Sequence, residues 1–416
     1  MIESEARLRD AVAEAVAETP VTDIHTHLFP PEFGGLCLRG MDDLLSYHYL
    51  AAEALRCLSM PYGEFWGLPK RARADLVWRT LFLERSPVSE ACRGVLTVLR
   101  AHGLDPGARD LEGYRAYFAG LSAQVHAGRV LEISGVERLV MTNDPFDTVE
   151  SGIWRAGTAV DGRFLPALRL DRLLNDWPEA LAALGRQGYD AAPDPSPKTV
   201  SVIRRFLADW IARLRPVYLA ASLPPDFAWP GDSPRSRLLG EAVLPAAAEH
   251  GLPLAMMLGV RRGVNPELGQ AGDGMGAASL VPVENLCAAF PENRFLLTAL
   301  ARENQHGACV LGRKFRNLMP FGCWWFMNNP VLAQETTAMR LEMLGLSFIP
   351  QHSDARVLDQ LLYKWAHFRE ILAGTLAGRY ADLMRTGWRV SREEIRRDVA
   401  GLLGENFWGF LGASLI

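Results

Sequence analysis

Short apolar runs alternate along most of the chain with stretches whose apolar residues recur at helical spacing. The runs cover residues 21–28, 137–143, 163–171, 216–223, 252–260, 294–300, 318–325 and 346–353. Stretches with helical spacing between them cover residues 172–184, 200–214, 233–250, 283–290 and 330–344. Strand-length apolar runs that alternate with amphipathic helices predict βα units and a parallel sheet. Eight runs favour a closed α/β fold of the (β/α)8 TIM-barrel type over an open doubly wound sheet, which stays the alternative.

Two helical regions lie outside this alternation. The first carries helical apolar stripes over residues 41–59, 71–83, 88–102 and 112–130. We expect it to be a long insertion after the first strand that caps the barrel mouth. The second is the helical C-terminal part, in which Ser391 and Glu394 form a capping-box pattern. The predicted organisation is therefore a barrel with C-terminal helices, formed by residues 1–35 and 131–416, and a helical insertion over residues 36–130.

Composition and charge narrow the classes of function. The formal net charge is -4, which gives no basic field for nucleic acid. No apolar run has the length needed to span a bilayer, and residues 1–18 read as an amphipathic helix and not as a signal peptide. The six cysteines are scattered without a CxxC pair, as in a reduced cytoplasmic protein. We expect a cytoplasmic protein that binds neither nucleic acid nor membrane, and self-association into a homo-oligomer stays open.

The first run carries the most informative chemistry. Side chains alternate faces along a strand, so His25 and His27 present two imidazoles side by side at a strand end. Imidazole is a common ligand of divalent metals such as zinc. Local hydrogen bonding by the two histidines is the alternative, and the spacing favours a metal site.

The last run supplies a third candidate ligand. The first and last strands are neighbours in a closed barrel, so Asp354 can meet His25 and His27. The result is a site with two histidines, one carboxylate and open coordination positions. The alternative for Asp354 is the N-cap of a helix over residues 357–368.

Two arginines and one aromatic pair complete the set of candidate residues. A buried guanidinium needs an anionic partner, which for Arg169 is either a neighbouring aspartate or a substrate carboxylate held bidentately. Arg356 has the same two interpretations, and two arginines beside one metal favour an acidic substrate. His48 and Tyr49 lie on the first insertion helix, where a cap could bring a proton-transferring phenol to the metal. Packing of an aromatic helix face on the barrel rim is the alternative.

Together these residues resemble the uronate isomerase family of the amidohydrolase superfamily. The resemblance rests on the segments 23–28 (DIHTHL), 48–49 (HY), 142–145 (TNDP), 169–171 (RLD), 322–326 (GCWWF), 354–356 (DAR) and 388–394 (WRVSREE). It implies a (β/α)8 barrel of the metal-dependent hydrolase type, with a helical insertion and one divalent metal ion, typically zinc. The resemblance also implies a role for each site residue. The metal ligands are His25, His27 and Asp354; the catalytic residues are Asp354, Tyr49 and His48; and the substrate-binding residues are Arg169, Arg356 and Trp325.

The activity implied by the resemblance is metal-dependent aldose–ketose isomerisation of a hexuronate, such as D-glucuronate to D-fructuronate, or of a related small sugar acid. The sequence departs from the family pattern at Met257, where a histidine is usual, and at Leu170, where a proline is usual. These departures leave a second function open, a mononuclear metal-dependent hydrolase or decarboxylase of a small acidic substrate. A binuclear hydrolase is disfavoured, because the fifth and sixth runs end without histidine.

Overall fold

The computed structural model describes residues 1–2 and 4–412, and a curled parallel sheet organises it. The sheet strands are β1 (Val21–Thr26), β2 (Val136–Asn143), β3 (Phe164–Arg169), β4 (Leu219–Leu223), β5 (Leu254–Leu258), β8 (Phe295–Ala299) and β9 (Leu318–Pro320). They pair in the order β1-β2-β3-β4-β5-β8-β9, and every pair is parallel. A separate antiparallel pair, β6 (Val260–Arg261) and β7 (Gly274–Met275), follows β5. The predicted parallel α/β sheet is confirmed, and seven of the eight predicted runs contain a sheet strand.

The eighth predicted run, 346–353, does not form a regular strand. It makes one isolated parallel bridge, between Ile349 and Phe321 of the β9 side. On the other side, the Asp354 N–H donates to the His25 carbonyl at 3.1 Å, and the His27 N–H donates to the Ala355 carbonyl at 2.8 Å. Pro350 within the segment lacks an N–H, and Asp354 has a φ of 53°, which are two local obstacles to a continuous ladder.

The helices before β2 include the predicted insertion. They are α1 (Glu5–Glu18), α2 (Met41–Leu45), α3 (His48–Leu55), α4 (Tyr62–Gly67), α5 (Lys70–Trp78), α6 (Glu90–Ala101), α7 (Leu111–Ala119) and α8 (Ala123–Ser134). Two predicted insertion helices are each split into two. The predicted helix 112–130 breaks where Ser122 becomes a new N-cap that accepts a hydrogen bond from the Val125 N–H.

The remaining helices cover the sheet and form the C-terminal part. They are α9 (Thr148–Arg155), α10 (Asp171–Asn175), α11 (Trp177–Arg186), α12 (Pro197–Leu214), α13 (Pro234–Leu238), α14 (Leu244–Glu249), α15 (Val281–Ala289), α16 (Asn304–Gly312), α17 (Pro330–Leu344), α18 (Gln360–Arg385), α19 (Arg392–Ala400) and α20 (Asn406–Leu411). Short 3-10 or π-helical segments cover Pro31–Leu36, Arg79–Leu83, Pro106–Ala108, Leu239–Val243, Pro266–Gly272, Trp325–Met327 and Gly401–Glu405. The predicted capping box is confirmed, because Ser391 and Glu394 exchange both hydrogen bonds at the start of α19.

One apolar cluster joins the insertion to the rest of the chain. It includes Leu44 and Val95 of the insertion, Leu8 of α1, and Leu361 and Leu372 of α18, all of them buried. Burial of this kind is the main favourable term in folding, so the insertion is held by packing against α1 and α18. The division of the chain into a barrel and a separate insertion stays a prediction.

Within the part of the chain that the structure describes, no helix combines the length and the apolar character that a bilayer crossing requires.

Candidate metal centre and substrate cavity

The end of β1 and the segment after residue 353 bring the three predicted metal ligands together. Nε2 of His25 lies 3.6 Å from Oδ1 of Asp354, and Nε2 of His27 lies 3.4 Å from the same oxygen. The two imidazole rings are 5.3 Å apart and nearly perpendicular. Three potential ligand atoms thus converge from the two neighbouring segments that the sequence analysis paired, in the arrangement that a divalent ion needs.

A phenol fixes the tautomer of His25. The Tyr218 hydroxyl on the chain entering β4 donates its proton to the Ile24 carbonyl at 2.7 Å. Its oxygen lies 3.2 Å from Nδ1 of His25 and therefore accepts the Nδ1–H of that ring. Nε2 of His25 therefore keeps its lone pair, on the side of the ring that faces Oδ1 of Asp354.

A second hydroxyl acts on His27 in the same way. The Thr142 hydroxyl of β2 donates to the Thr26 carbonyl at 3.1 Å, and its oxygen lies 2.8 Å from Nδ1 of His27. Nδ1 is therefore the protonated nitrogen, and Nε2 is free to bind a metal. Partners of this kind orient metal-binding histidines and set their tautomer.

The carboxylate of Asp354 completes the donor set. Its side chain is 10% exposed, and Oδ1 is a buried oxygen without a hydrogen-bond partner. A buried carboxylate oxygen that faces two imidazole lone pairs carries negative charge without a partner, and a bound cation would supply that partner. Asp354 does not cap a helix, because α18 begins at Gln360 and its N-cap position is Asp359, so the N-cap alternative is wrong.

Burial keeps the histidines neutral. It lowers the pKa of His25 to about 3 and holds the pKa of His27 well below its ordinary value, with the positive charges of Arg356 and Arg169 adding to the effect at His27. Neutral imidazole is the form that binds metals, so the donor set fits a divalent ion.

A second group, formed by His102, His126 and Asp359, contains a carboxylate whose two oxygens already accept hydrogen bonds. Oδ1 of Asp359 lies 2.7 Å from Nε2 of His126 and 3.3 Å from Nε2 of His102. Oδ2 accepts the Gly40 N–H at 2.8 Å. Every carboxylate oxygen there already has a hydrogen bond, in contrast to Oδ1 of Asp354, so this cluster functions as a buried clamp between the insertion and the N-terminal end of α18. Neither histidine had a motif partner in the sequence.

The two arginines near the metal ligands differ in their partners. Arg169 at the end of β3 forms a bidentate ion pair with Asp171, with N···O distances of 3.0 and 3.1 Å. The nearby aspartate charge raises the pKa of Arg169 further above its ordinary value. Among the described residues, the Arg356 guanidinium has no ion-pair partner, although it lines the same chamber. Arg356 is therefore the cation with capacity for a substrate carboxylate.

The site consists of a small inner chamber and a larger outer cavity. The inner chamber, about 20 Å³, is lined by the three predicted metal ligands together with Arg169, Arg356 and Trp325. That volume holds about one water-sized species. The outer cavity, about 710 Å³, shares His27, Arg169 and Arg356 with it and adds His48 and Tyr47.

The insertion places its two predicted catalytic residues differently. His48 lines the outer cavity, and its buried Nε2 has no hydrogen-bond partner. Burial lowers the pKa of His48 to about 3, so the ring is neutral at neutral pH. Tyr49 lines neither the inner chamber nor the outer cavity, but a space of about 10 Å³ that it shares with Asp354, Trp325 and Lys364. The phenol that lines the outer cavity is Tyr47.

Trp325 has an unusual backbone conformation. Its φ is 47°, and its ring stacks on Phe326 and lies 5.9 Å from the His48 ring. Gly322, three residues earlier, has a φ of 62°, and a Cβ there would lie 1.7 Å from Nδ1 of His352. The glycine thus lets the tryptophan segment pass against the buried residues that precede Asp354.

Sequence reasoning missed four supporting residues: Tyr218, Tyr47, Asp359 and Asp23 in its positioning role. Asp23 accepts the Ser353 N–H at 3.0 Å and the Trp365 indole N–H at 2.9 Å, which ties β1 to the segment that carries Asp354. Alternation along the run 216–223 could have placed Tyr218 on the inner face. No local pattern indicated Asp359, because its partners are more than 230 positions away.

Metal ligands at the ends of strands in a curled parallel sheet are typical of the amidohydrolase superfamily. No protein-family model matches the sequence, and no curated protein matches it significantly. Among solved structures, a uronate isomerase from Bacillus halodurans C-125 is 51% identical to this chain, with a TM-score of 0.98 over 100% of this chain and 98% of that chain. The chain belongs to the uronate isomerase family.

Two more distant structures share the fold. A uronate isomerase from Thermotoga maritima is 16% identical, with a TM-score of 0.79 over 99% of this chain and 100% of that chain. A glucuronate isomerase from Caulobacter crescentus is 15% identical, with a TM-score of 0.78 over 98% of this chain and 94% of that chain. At these identities the likeness concerns the fold alone.

Proposed function

We propose that this chain interconverts the aldose and ketose forms of a hexuronate such as D-glucuronate. The observation that carries the proposal is the unpaired Arg356 guanidinium beside the convergent His25, His27 and Asp354, in a chain of the uronate isomerase family. A cationic group next to a metal centre suits a substrate with a carboxylate and neighbouring hydroxyl groups.

The ion we propose is one zinc ion, held by His25, His27 and Asp354. Two neutral imidazoles and a carboxylate are an ordinary zinc donor set. When bound, such an ion polarises the oxygens of its ligands. Residues 349–355 would take the place of the eighth barrel strand and hold Asp354 next to β1.

Binding of the sugar acid is assigned to the two arginines in different roles. Arg356 would hold the substrate carboxylate, because no acidic side chain among the described residues neutralises the Arg356 guanidinium. Arg169 is already neutralised by Asp171 and would orient the sugar by single hydrogen bonds. Trp325, beside both, would pack on the substrate at the border of the inner chamber.

Isomerisation removes a proton from C2 and returns it to C1 through an enediol. Asp354 and Tyr49 share a space of about 10 Å³, close to the limit for one water, so the phenol could exchange a proton with the carboxylate there. His48 is neutral and lines the substrate cavity, and its buried Nε2 has no hydrogen-bond partner, so after a turn of the ring it could move the proton between the two substrate oxygens.

The test is conversion of D-glucuronate by the zinc-loaded protein, followed by NMR in deuterated water. We expect ketose to form with exchange of the transferred hydrogen, and Arg356→Met to form it far more slowly at low substrate concentration while a control, the exposed Arg316→Met, matches the wild type. Hydrolysis of esters or lactones in a parallel panel, without ketose formation from any hexuronate, would establish the hydrolase alternative and contradict the isomerase.

A further inference from the structure

The outer cavity is larger than one sugar acid requires. A hexuronate has about thirteen non-hydrogen atoms, so even at the roughly 30 Å³ that a water occupies in the liquid it fills about 400 Å³. The outer cavity alone is about 710 Å³, and Arg356, which holds the sugar's carboxylate on the function proposed above, lies at its border with the inner chamber. Space for a second sugar ring therefore remains at the outer end.

Trp66 and Arg73 line the outer cavity and are not among the residues that line the inner chamber, and we call their part of the cavity its outer end. The Trp66 indole lines it, and the indole N–H donates to the Glu267 carbonyl at 3.1 Å, which fixes the ring. The Arg73 guanidinium lies 5.5 Å from the centre of that ring. The guanidinium stacks over the face of the fixed indole, which holds it in place, and the N–H groups at its edge offer donors for a carboxylate.

The charges on this wall leave Arg73 without a carboxylate. Lys70 on the same helix is neutralised by Asp43. No described acidic side chain pairs with Arg73, and its buried Nε has no hydrogen-bond partner. The Glu150 carboxyl, also on the cavity, has a pKa raised by burial to about 8 and is mostly uncharged at neutral pH. Arg356 and Arg73 are thus two guanidiniums on one cavity that have no carboxylate partner among the described residues.

From this we infer that the cavity accepts a disaccharide of two uronates, with the reducing-end ring at the metal centre and the carboxylate of the second ring on the Arg73 guanidinium. The inference rests on the isomerase function proposed above. The chemistry is unchanged: one hydrogen moves from C2 to C1 of the reducing-end ring, the proton on O2 passes to O1, and the glycosidic bond stays intact. No further reactant is needed.

The experiment compares a hexuronate with the disaccharide that has the same hexuronate at its reducing end. For the wild-type protein we expect kcat/KM for the disaccharide to equal or exceed that for the monosaccharide. Arg73→Met should lower the disaccharide value about tenfold, which corresponds to about 1.4 kcal/mol, and leave the monosaccharide value within about twofold. The matched control is Arg71→Met, two residues earlier on α5, where the arginine is paired with Glu112.

Two outcomes would overturn the inference: no turnover of the disaccharide by a protein that isomerises the monosaccharide, or an equal effect of Arg73→Met on both substrates. If neither sugar is isomerised, the function proposed above is wrong. Titration calorimetry of the two sugars then tests the subsite by binding alone. Tighter binding of the disaccharide than of the monosaccharide, lost in Arg73→Met, supports the subsite; equal binding refutes it. Arg73→Lys, which keeps the charge but not the planar fork, replaces the Met variant if that variant does not fold.

Discussion

Tyr218 sets the tautomer of His25. Its phenol oxygen lies 3.2 Å from Nδ1 of His25 while its proton goes to the Ile24 carbonyl, so Nδ1 carries a hydrogen and Nε2 does not. Thr142 and His27 repeat this relationship on the neighbouring strand. The proposed metal centre therefore depends on two hydroxyl groups that are not among its ligands.

Replacement of Tyr218 by phenylalanine tests this dependence. Tyr218→Phe removes the acceptor of the Nδ1–H and nothing from the donor set, so we expect metal affinity to fall about 10- to 100-fold with the fold retained. Competition with a chelator measures the affinity. Tyr189→Phe, which removes a hydroxyl bonded to the exposed Asp209, is the matched control. Equal metal affinity in Tyr218→Phe and the wild type would contradict the tautomer argument.

Replacement of Arg356 should affect substrate kinetics, and replacement of Arg169 should affect protein stability. Arg356 has no carboxylate to release, so Arg356→Met should raise KM for an acidic substrate at least about tenfold and leave the melting temperature nearly unchanged. Arg169→Met leaves the partly buried Asp171 with only the more distant Arg262, 4.0 Å away, so it should destabilise the protein by about 1–3 kcal/mol. Steady-state kinetics and thermal unfolding of both variants provide the comparison, and the reverse pattern would exchange the two roles.

The Asp359 clamp predicts an acid-dependent contribution to stability. Burial opposes ionisation of Asp359, but hydrogen bonds from His102 and His126 outweigh it and hold the pKa of the carboxyl well below its ordinary value. This stabilisation is present above the unfolded pKa, about 3.9, and is lost as the pH falls below that value toward the folded pKa. Asp359→Asn should therefore destabilise the protein by about 2–4 kcal/mol at pH 7 and by less at pH 3. Denaturant unfolding at both pH values tests this; an identical loss at both would refute the linkage.

Glu150 predicts the opposite pH dependence. Burial raises the pKa of its carboxyl to about 8, although the Asn143 amide and the Asp144 N–H donate to it. A raised folded pKa stabilises the protein below the unfolded pKa, and the contribution is lost as the pH rises toward 8. Glu150→Gln should thus gain stability relative to the wild type between pH 5 and pH 8.5, by roughly 1.4 kcal/mol for each unit between the two pKa values. A difference that does not change with pH would show that Glu150 ionises normally.

Much of the sheet and the convergence of the three predicted metal ligands could be predicted from the sequence, because period-two alternation is a local signal and a closed barrel makes the first and last strands neighbours. Alternation placed His25 and His27 on one face, and the expected neighbouring of the first and last strands brought Asp354 to them. The irregular segment 349–355 and the placement of Tyr47 instead of Tyr49 on the cavity could not be predicted. Both depend on backbone geometry at single residues, such as the φ of 53° at Asp354 and the break between α2 and α3. The pairing of Arg169 with Asp171 was one of two open interpretations, and only distances could decide it.

The central claim is that His25, His27 and Asp354 together hold one divalent ion. The most direct test is elemental analysis of the purified protein after equilibration with zinc and gel filtration, for the wild type and for Asp354→Asn, which has nearly the same shape but no charge. We predict about one zinc ion per wild-type chain and a small fraction of that in the variant. Equal metal content in the two proteins, or none in the wild type, would contradict the account.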